Sequence, residues 1–400
     1  MREIVFVDGI RTAFGRRGGA LKELTTVELS AAAVRGLLEK TKILEKGNVD
    51  GLFCGSAFGD IKSVGPARYT VLASGLPFET TASYVEMQCG SAIDSINHAA
   101  WKILAGAADV MIAGGMESYS NAFVKFPTSI PPYKGIAPAA VPWSLAPTAD
   151  QDIPMLKVSD DMAKKWEISR LECDEFALRS QKLAKAAVDK GYFKDEIVPI
   201  AIKQGKNKPD LIVDADEHLR PDTTMESLTK LRAVLGEDGV TTAGNSSGMN
   251  DGAAFVLMMT AEKAKDLGYE PYAKWVCGAE YGVQPKLMGI GPAYSNLLAM
   301  KKAGLTLDQM DVMECNEAFA AQNLAVIKEM ELQSGKTIDM NKWNPNGGAI
   351  AFGHPNGASG ARICMFAMKE LERRGGKYGL FSSCCGGGHG VTTLIENLRV

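Results

Sequence analysis

Residues 84–115 read YVEMQCGSAIDSINHAAWKILAGAADVMIAGG, and their pattern decides the fold class. Tyr84-Val85-Glu86-Met87 reads as a short strand leading into Cys89-Gly90-Ser91. From Ala92 onward, Ile93, Ile96, Ala99, Ala100, Ile103 and Leu104 recur at helical spacing. Gly106 closes that helix. Asp109 to Ala113 is then an apolar run of buried-strand length, ending at Gly114-Gly115. The same order returns near the other end of the chain. A glycine-rich entry at Gly353 to Gly360 opens a helix through Ile363, Phe366, Ala367 and Leu371. Gly375-Gly376 stops it, and the strand Tyr378 to Ser383 runs into Gly386-Gly387-Gly388. A turn–helix–strand–glycine unit used twice predicts two related α/β halves, residues 1–118 with 250–270, and residues 271–400.

Different material lies between the halves. Residues 127–154 hold seven prolines, too many for regular structure and too long a run for a passive connection. Ser169 then caps a long amphipathic helix that Gly191 terminates. Arg220 to Gly244 is charged and rich in turn residues. Residues 119–249 are therefore predicted to be an inserted loop domain, and long ordered loops on a rigid scaffold usually bind something.

Composition narrows the function classes. With 46% hydrophobic and 23% charged residues, the 400-residue chain has the balance of a soluble globular protein of two or three domains. A net charge of -3 supplies no bulk field for nucleic acid or anionic lipid. No apolar run is long enough to cross a bilayer. The chain opens on the strand-like Ile4-Val5-Phe6-Val7, and Glu396 to Val400 carries no address signal, so a cytoplasmic location is expected. Cys54, Cys277, Cys315 and Cys364 sit in apolar stretches, as free buried thiols do. No paired C-x-x-C spacing accompanies the four histidines, so reduced thiols and no metal site are expected.

Three segments carry reactive side chains. The glycine, serine and helix after Cys89 predict a sulfur at a helix N-terminus, where unpaired N–H groups lower a thiol pKa. A buried structural cysteine is the alternative. Gly353-His354-Pro355 puts a histidine on a constrained turn, placed to act as a general base, or else as a core histidine bonded to a backbone carbonyl. Cys384-Cys385-Gly386-Gly387-Gly388 sets a thiol at a strand end beside a loop whose N–H groups suit an oxyanion. Asn316-Glu317-Ala318-Phe319-Ala320 begins another helix, with Asn316 either capping it or holding a water.

Together these segments resemble the thiolase family. The matching motifs are Cys89-Gly90-Ser91, Ala113 to Ser118, Thr242 to Gly252, Asn316 to Phe319, Asn346 through Pro355, and Cys384 to Gly388. Arg11-Thr12 and Arg220 to Thr224 agree with them. They stand in family order from end to end. The resemblance implies a thiolase-like layered α/β fold, with two related halves of mixed sheets and an inserted loop domain. It implies that Cys89 is acylated, that His354 activates it, and that His354 and an Asn316-held water receive the oxyanion of the second substrate. Cys384 is implied as the acid/base at the α-carbon. The N–H groups of Cys89 and Gly386 would form the second oxyanion hole. Arg220, Ser227, Ala243, Gly244 and Ser247 are implied along the coenzyme A path, with Met155, Ala318 and Phe319 near the thioester. Acyl-CoA and CoA are then the substrates, no cofactor is needed, and a homodimer or homotetramer is expected.

The chemistry fits these residue types. Thioester exchange needs a nucleophile that also leaves well, and a thiolate is both. The leading expectation is acetyl-CoA C-acetyltransferase, two acetyl-CoA giving acetoacetyl-CoA and CoA. Longer or branched 3-ketoacyl-CoA is the alternative, and a non-catalytic acyl or lipid carrier the lesser one. Glu86, Pro154, Asn356 and His389 depart from the usual family pattern and bear on specificity, not on catalytic groups.

Overall fold

The structure is a computed structural model that describes residues 2–127, 139–206 and 208–399. The centre of the proline-rich stretch, 128–138, lies outside them. In chain order the main strands are β1 (Ile4–Thr12), β2 (Gly51–Gly55), β3 (Thr81–Val85), β4 (Val110–Ser118), β5 (Asn250–Thr260), β6 (Ala273–Gly282), β7 (Met310–Cys315), β8 (Tyr378–Cys385) and β9 (His389–Asn397). The principal helices are α1 (Thr26–Thr41), α2 (Pro66–Ser74), α3 (Ser91–Leu104), α4 (Met155–Lys165), α5 (Arg170–Asp189), α6 (Gly291–Ala303), α7 (Ala320–Ser334) and α8 (Asn356–Arg374).

The strands follow the spatial order β7-β8-β9-β6-β1-β5-β4-β2-β3. In the first half β1 runs antiparallel to β5, β5 antiparallel to β4, and β4 parallel to β2. In the second half β6, β9, β8 and β7 repeat that sequence of senses. The internal repeat is thus a repeat of topology. The halves meet where Ile4 pairs with Trp275 and Phe6 with Ala273, so the two mixed sheets are joined into one.

Three apolar clusters define the layers. Ile93, Ile96 and Ile103 of α3 and Ile363 and Leu371 of α8 share a core with Met111, Val256, Phe381 and Ile395 from both halves of the sheet. The outer face of the first half is covered by α1, through Val27 and Leu37. The outer face of the second half is covered by α6 and α7, joined there by Val158 of α4 and Phe176 of α5. Among the described residues no helix is long and apolar enough to cross a membrane.

Local sequence signals explain the helix ends. Ser169 Oγ accepts the Glu172 N–H at 3.2 Å, and Glu172 accepts the Ser169 N–H at 2.7 Å, a reciprocal capping box. The first strand of the quoted stretch stops at Val85, shorter than expected, because Glu86 turns its carboxylate onto the next loop.

Gly115 is required by a close approach. A Cβ there would sit 1.9 Å from the Gly357 carbonyl oxygen and 2.6 Å from that of Gly55. Both obstacles are backbone, so neither yields cheaply. Gly115→Ala is expected to lose about 3 kcal/mol or more of stability in denaturant melts, because it pries α8 from the sheet. An unchanged midpoint would contradict this packing.

Candidate active site

Cys89 sits in a tight turn, Gln88–Gly90, between β3 and α3. Gln88 has φ 48°, left-handed and unfavourable for a side chain. Glu86 holds it there, accepting the Gln88 N–H at 2.8 Å and its amide at 2.6 Å. That accounts for an acidic residue at position 86. Ser91 Oγ closes the turn, accepting the Met87 N–H at 2.9 Å and donating to the Gln88 carbonyl at 2.7 Å.

The expectation of a lowered Cys89 pKa is corrected. Burial pushes the thiol up to about 12 and the nearby Glu117 carboxylate adds to the rise, against the N–H groups of Cys89 and Gly386. The helix begins only at Ser91, and desolvation outweighs its field. Cys89 therefore rests as a thiol. Its alkylation by iodoacetamide is expected to accelerate about tenfold per pH unit from roughly pH 7 to 10. A plateau near neutrality would show a stabilised thiolate instead.

His354 is held on both sides. Its N–H donates to Asn250 Oδ1 at 3.0 Å, and Gly353, at φ 92°, gives the chain its turn. Ser359 Oγ donates to the Pro355 carbonyl at 3.0 Å and lies 2.6 Å from His354 Nδ1. With its proton committed, the hydroxyl accepts Nδ1–H, which leaves Nε2 unprotonated. Asn316 Nδ2 stands 3.3 Å from that Nε2. Burial, then the charge of Arg362, pulls the imidazole down to about 3, so it is neutral at physiological pH.

Asn316 does not cap a helix: α7 starts at Ala320, four residues on. Its N–H donates to Ser382 at 2.9 Å and its carbonyl accepts the Asn323 amide at 3.0 Å. Its buried Oδ1 has no partner among the described residues, an acceptor suited to a water.

Cys384 is fully buried near the end of β8, whose Ser382 pairs with Cys315 just before Asn316. Burial raises its thiol well above the ordinary value, and a negative charge on Cys89 would raise it further. A Cβ at Gly90 would lie 2.5 Å from Cys385 Sγ, which fixes the Cys89 turn against the same strand end. All eight cysteines are free. A cavity of about 360 Å³ opens on Cys89 and Gly386, walled by Tyr119, Trp143, Pro154 and Asn356.

Residues 4–262 match the thiolase N-terminal domain family and residues 269–397 the thiolase C-terminal domain family. The chain belongs to the thiolase family. Among its relatives is a beta-ketoadipyl-CoA thiolase of Acinetobacter baylyi, 41% identical with all of both chains covered. The crystal structure of the Bacillus anthracis acetyl-CoA acetyltransferase superposes with a TM-score of 0.92 at 38% identity, covering 100% of this chain and 99% of that one. Human mitochondrial 3-ketoacyl-CoA thiolase in complex with CoA gives 0.90 at 39%, covering 99% and 98%.

In this thiolase a second cleft, of about 440 Å³, is lined by Arg220, Ser227, Ala243 and Gly244 together with His218 and Gln181. Ser247 lies off that lining, its N–H donating to the Ala318 carbonyl at 3.0 Å. Phe319 pairs with Ser246, so Ala318 and Phe319 back the 245–247 loop. Met155 lines the Cys89 cavity instead. The loop bearing Arg220 is anchored by Arg11, whose buried guanidinium grips Asp216 at 2.7 and 2.9 Å and Glu196 at 2.9 Å.

Two functional neighbours escaped the sequence reading. Ser359 orients His354 from five residues downstream, inside the quoted glycine motif, where its spacing was the available signal. Glu117 accepts from Ser56 Oγ, Ala57 N and Gly357 N at 2.9, 2.8 and 3.1 Å, and burial lifts it to about 7. Nothing local marks that role. His389 is exposed and paired with Gly282, away from the cavity lining.

Proposed function

We propose that the enzyme makes and cleaves 3-ketoacyl-CoA through an acyl-Cys89 intermediate, acetoacetyl-CoA being the smallest such substrate. The observation that carries this is the neutral imidazole of His354, its Nδ1–H given to Ser359 and its Nε2 lone pair bonded by Asn316, together with Cys89, a thiol that opens on the cavity. His354 Nε2 takes the Cys89 proton as the sulfur attacks the thioester carbonyl. The oxyanion receives the N–H groups of Cys89 and Gly386, and the CoA sulfur leaves with the proton from His354. In cleavage, Cys384 gives its proton to the departing enolate carbon, and its raised pKa suits that role. In condensation, Cys384 passes its proton to His354 Nε2, and the resulting thiolate removes the α-proton. The enolate oxygen is held by that Nε2–H and a water on Asn316, and the Cys89 sulfur leaves with the Nε2 proton. The steps call on no cofactor; CoA enters as substrate through the Arg220–Gly244 cleft.

A second reading, preference for a longer acyl chain, is favoured by the 360 Å³ cavity at Cys89, which exceeds what an acetyl group fills. Parallel assays of CoA-dependent cleavage decide between them. Fast turnover of acetoacetyl-CoA supports the short-chain reading. Negligible turnover beside rapid cleavage of a longer 3-ketoacyl-CoA removes it.

We also propose a homodimer built on the edge strand β3. It is open on one side and flanked by exposed Phe78, Tyr69, Leu72 and Val64. Light scattering at the monomer mass would refute it. Eight free thiols accord with a reducing, cytoplasmic setting, which cell fractionation tests.

A further inference from the structure

The cavity beside Cys89 is not uniformly apolar. Phe58 meets Tyr119 and Trp143 edge-on, at 5.1 and 4.9 Å between ring centres, and forms one wall with them. Asn356, the first residue of α8, also lines the cavity, at a position where an aliphatic side chain would make it greasy throughout. Tyr119 and Asn356 both line the cavity, so a phenol and an amide face the acyl group that enters it. No described residue takes the Tyr119 O–H, which leaves it to be given to a ligand oxygen. Tyr119 is packed deeply enough that burial raises its hydroxyl far above the ordinary value, so it stays a donor. An alkyl chain laid here strips water from a phenol and an amide and returns no hydrogen bond. A carboxylate tail meets the opposite difficulty. Asp152 lines the cavity, and the charge of Glu117 reaches both Tyr119 and Cys89, with Arg17 opposing it at Tyr119.

We propose that this pocket selects acyl chains bearing a neutral hydrogen-bonding oxygen, a ketone or hydroxyl a few atoms beyond the thioester carbonyl. Tyr119 and Asn356 read that oxygen. The inference rests on the acyl-Cys89 reading and adds the substrate class that the site takes. A site built around a buried donor discriminates against the isostere lacking the partner, because the protein group is then left unpaired.

Three chains of nearly equal shape test it. Levulinoyl-CoA ends in a methyl ketone, isocaproyl-CoA replaces the ketone oxygen by a methyl group, and succinyl-CoA replaces the terminal methyl by a carboxylate oxygen. Rates of Cys89 acylation in the full-length enzyme are read by intact mass, with acetyl-CoA as reference. Levulinoyl transfer is expected to exceed isocaproyl transfer by about tenfold or more, with succinyl transfer slowest. Tyr119→Phe, which keeps the ring, and Asn356→Leu should each narrow that ratio at least about fivefold, and either variant alone suffices if the other fails to fold. Equal rates for levulinoyl and isocaproyl groups, or fastest transfer of succinyl, overturn the proposal. If wild-type enzyme accepts acetyl but does not discriminate, only the substrate class falls. If Cys89 accepts no acyl group from any of the four, the underlying reading falls with it.

Discussion

Cys89→Ser is expected to lower turnover of 3-ketoacyl-CoA by a factor of about 10⁴ or more while leaving the melting temperature within a few degrees. The loss follows from the resting protonation states. His354, pulled down to about 3, is a weak base, and Cys89, pushed to about 12, is a weak acid, so deprotonation must accompany attack. A thiol tolerates that mismatch because sulfur is nucleophilic and leaves readily. A serine hydroxyl is a much weaker acid, and its ester would also resist the return step. Residual activity within about a hundredfold of wild type would mean that the acyl group travels by another route.

Cys384→Ala is expected to separate the two halves of the reaction. Acylation of Cys89 by acetyl-CoA uses Cys89, His354 and the N–H groups of Cys89 and Gly386, none of which is removed. Formation or cleavage of the carbon–carbon bond needs a proton moved at the α-carbon, and general acid–base catalysis of that kind is worth about 10²–10⁴ in rate. Acyl exchange between CoA species should therefore persist within about tenfold, while 3-ketoacyl-CoA cleavage falls by about 10³. Equal losses in both assays would place Cys384 in a merely structural role. Burial of its sulfur makes such a control necessary, since alanine also leaves a small cavity in the outer core of the second half.

The duplicated halves were legible because each carries its own punctuation. Helical periodicity from Ile93 to Leu104, a glycine stop at Gly106 and an apolar strand are local features, and Ile363 to Phe381 repeats them. The joining of the halves into one sheet was not legible, since the β1–β6 pairing at Ile4 and Trp275 spans most of the chain. The inserted segment's long helix from Ser169 read correctly, but the helix Met155–Lys165 was not foreseen, and their sharing of a core with α6 and α7 depends on contacts that no periodicity encodes.

At the site, Cys89, His354 and Cys384 stood out through glycine-containing motifs, and Asn316 through Asn316-Glu317-Ala318-Phe319. Their acidities did not. The helix after Cys89 suggested a stabilised thiolate, but desolvation and Glu117 decide otherwise, and both are consequences of packing. Asn316 read either as a cap or as a water holder, and the turn through Phe319 delays the helix, removes the cap and leaves the amide to His354. Glu86 looked like a specificity change and proves to brace the left-handed Gln88.

Wild-type enzyme mixed with acetyl-CoA, quenched in acid within the first turnover and digested for peptide mapping, reports where the acyl group resides. One acetyl group on the peptide containing Cys89, with none on the peptide containing Cys384 and Cys385, is the expected result. Acetyl on the second peptide, or on no cysteine at all, would contradict an acyl relay through residue 89.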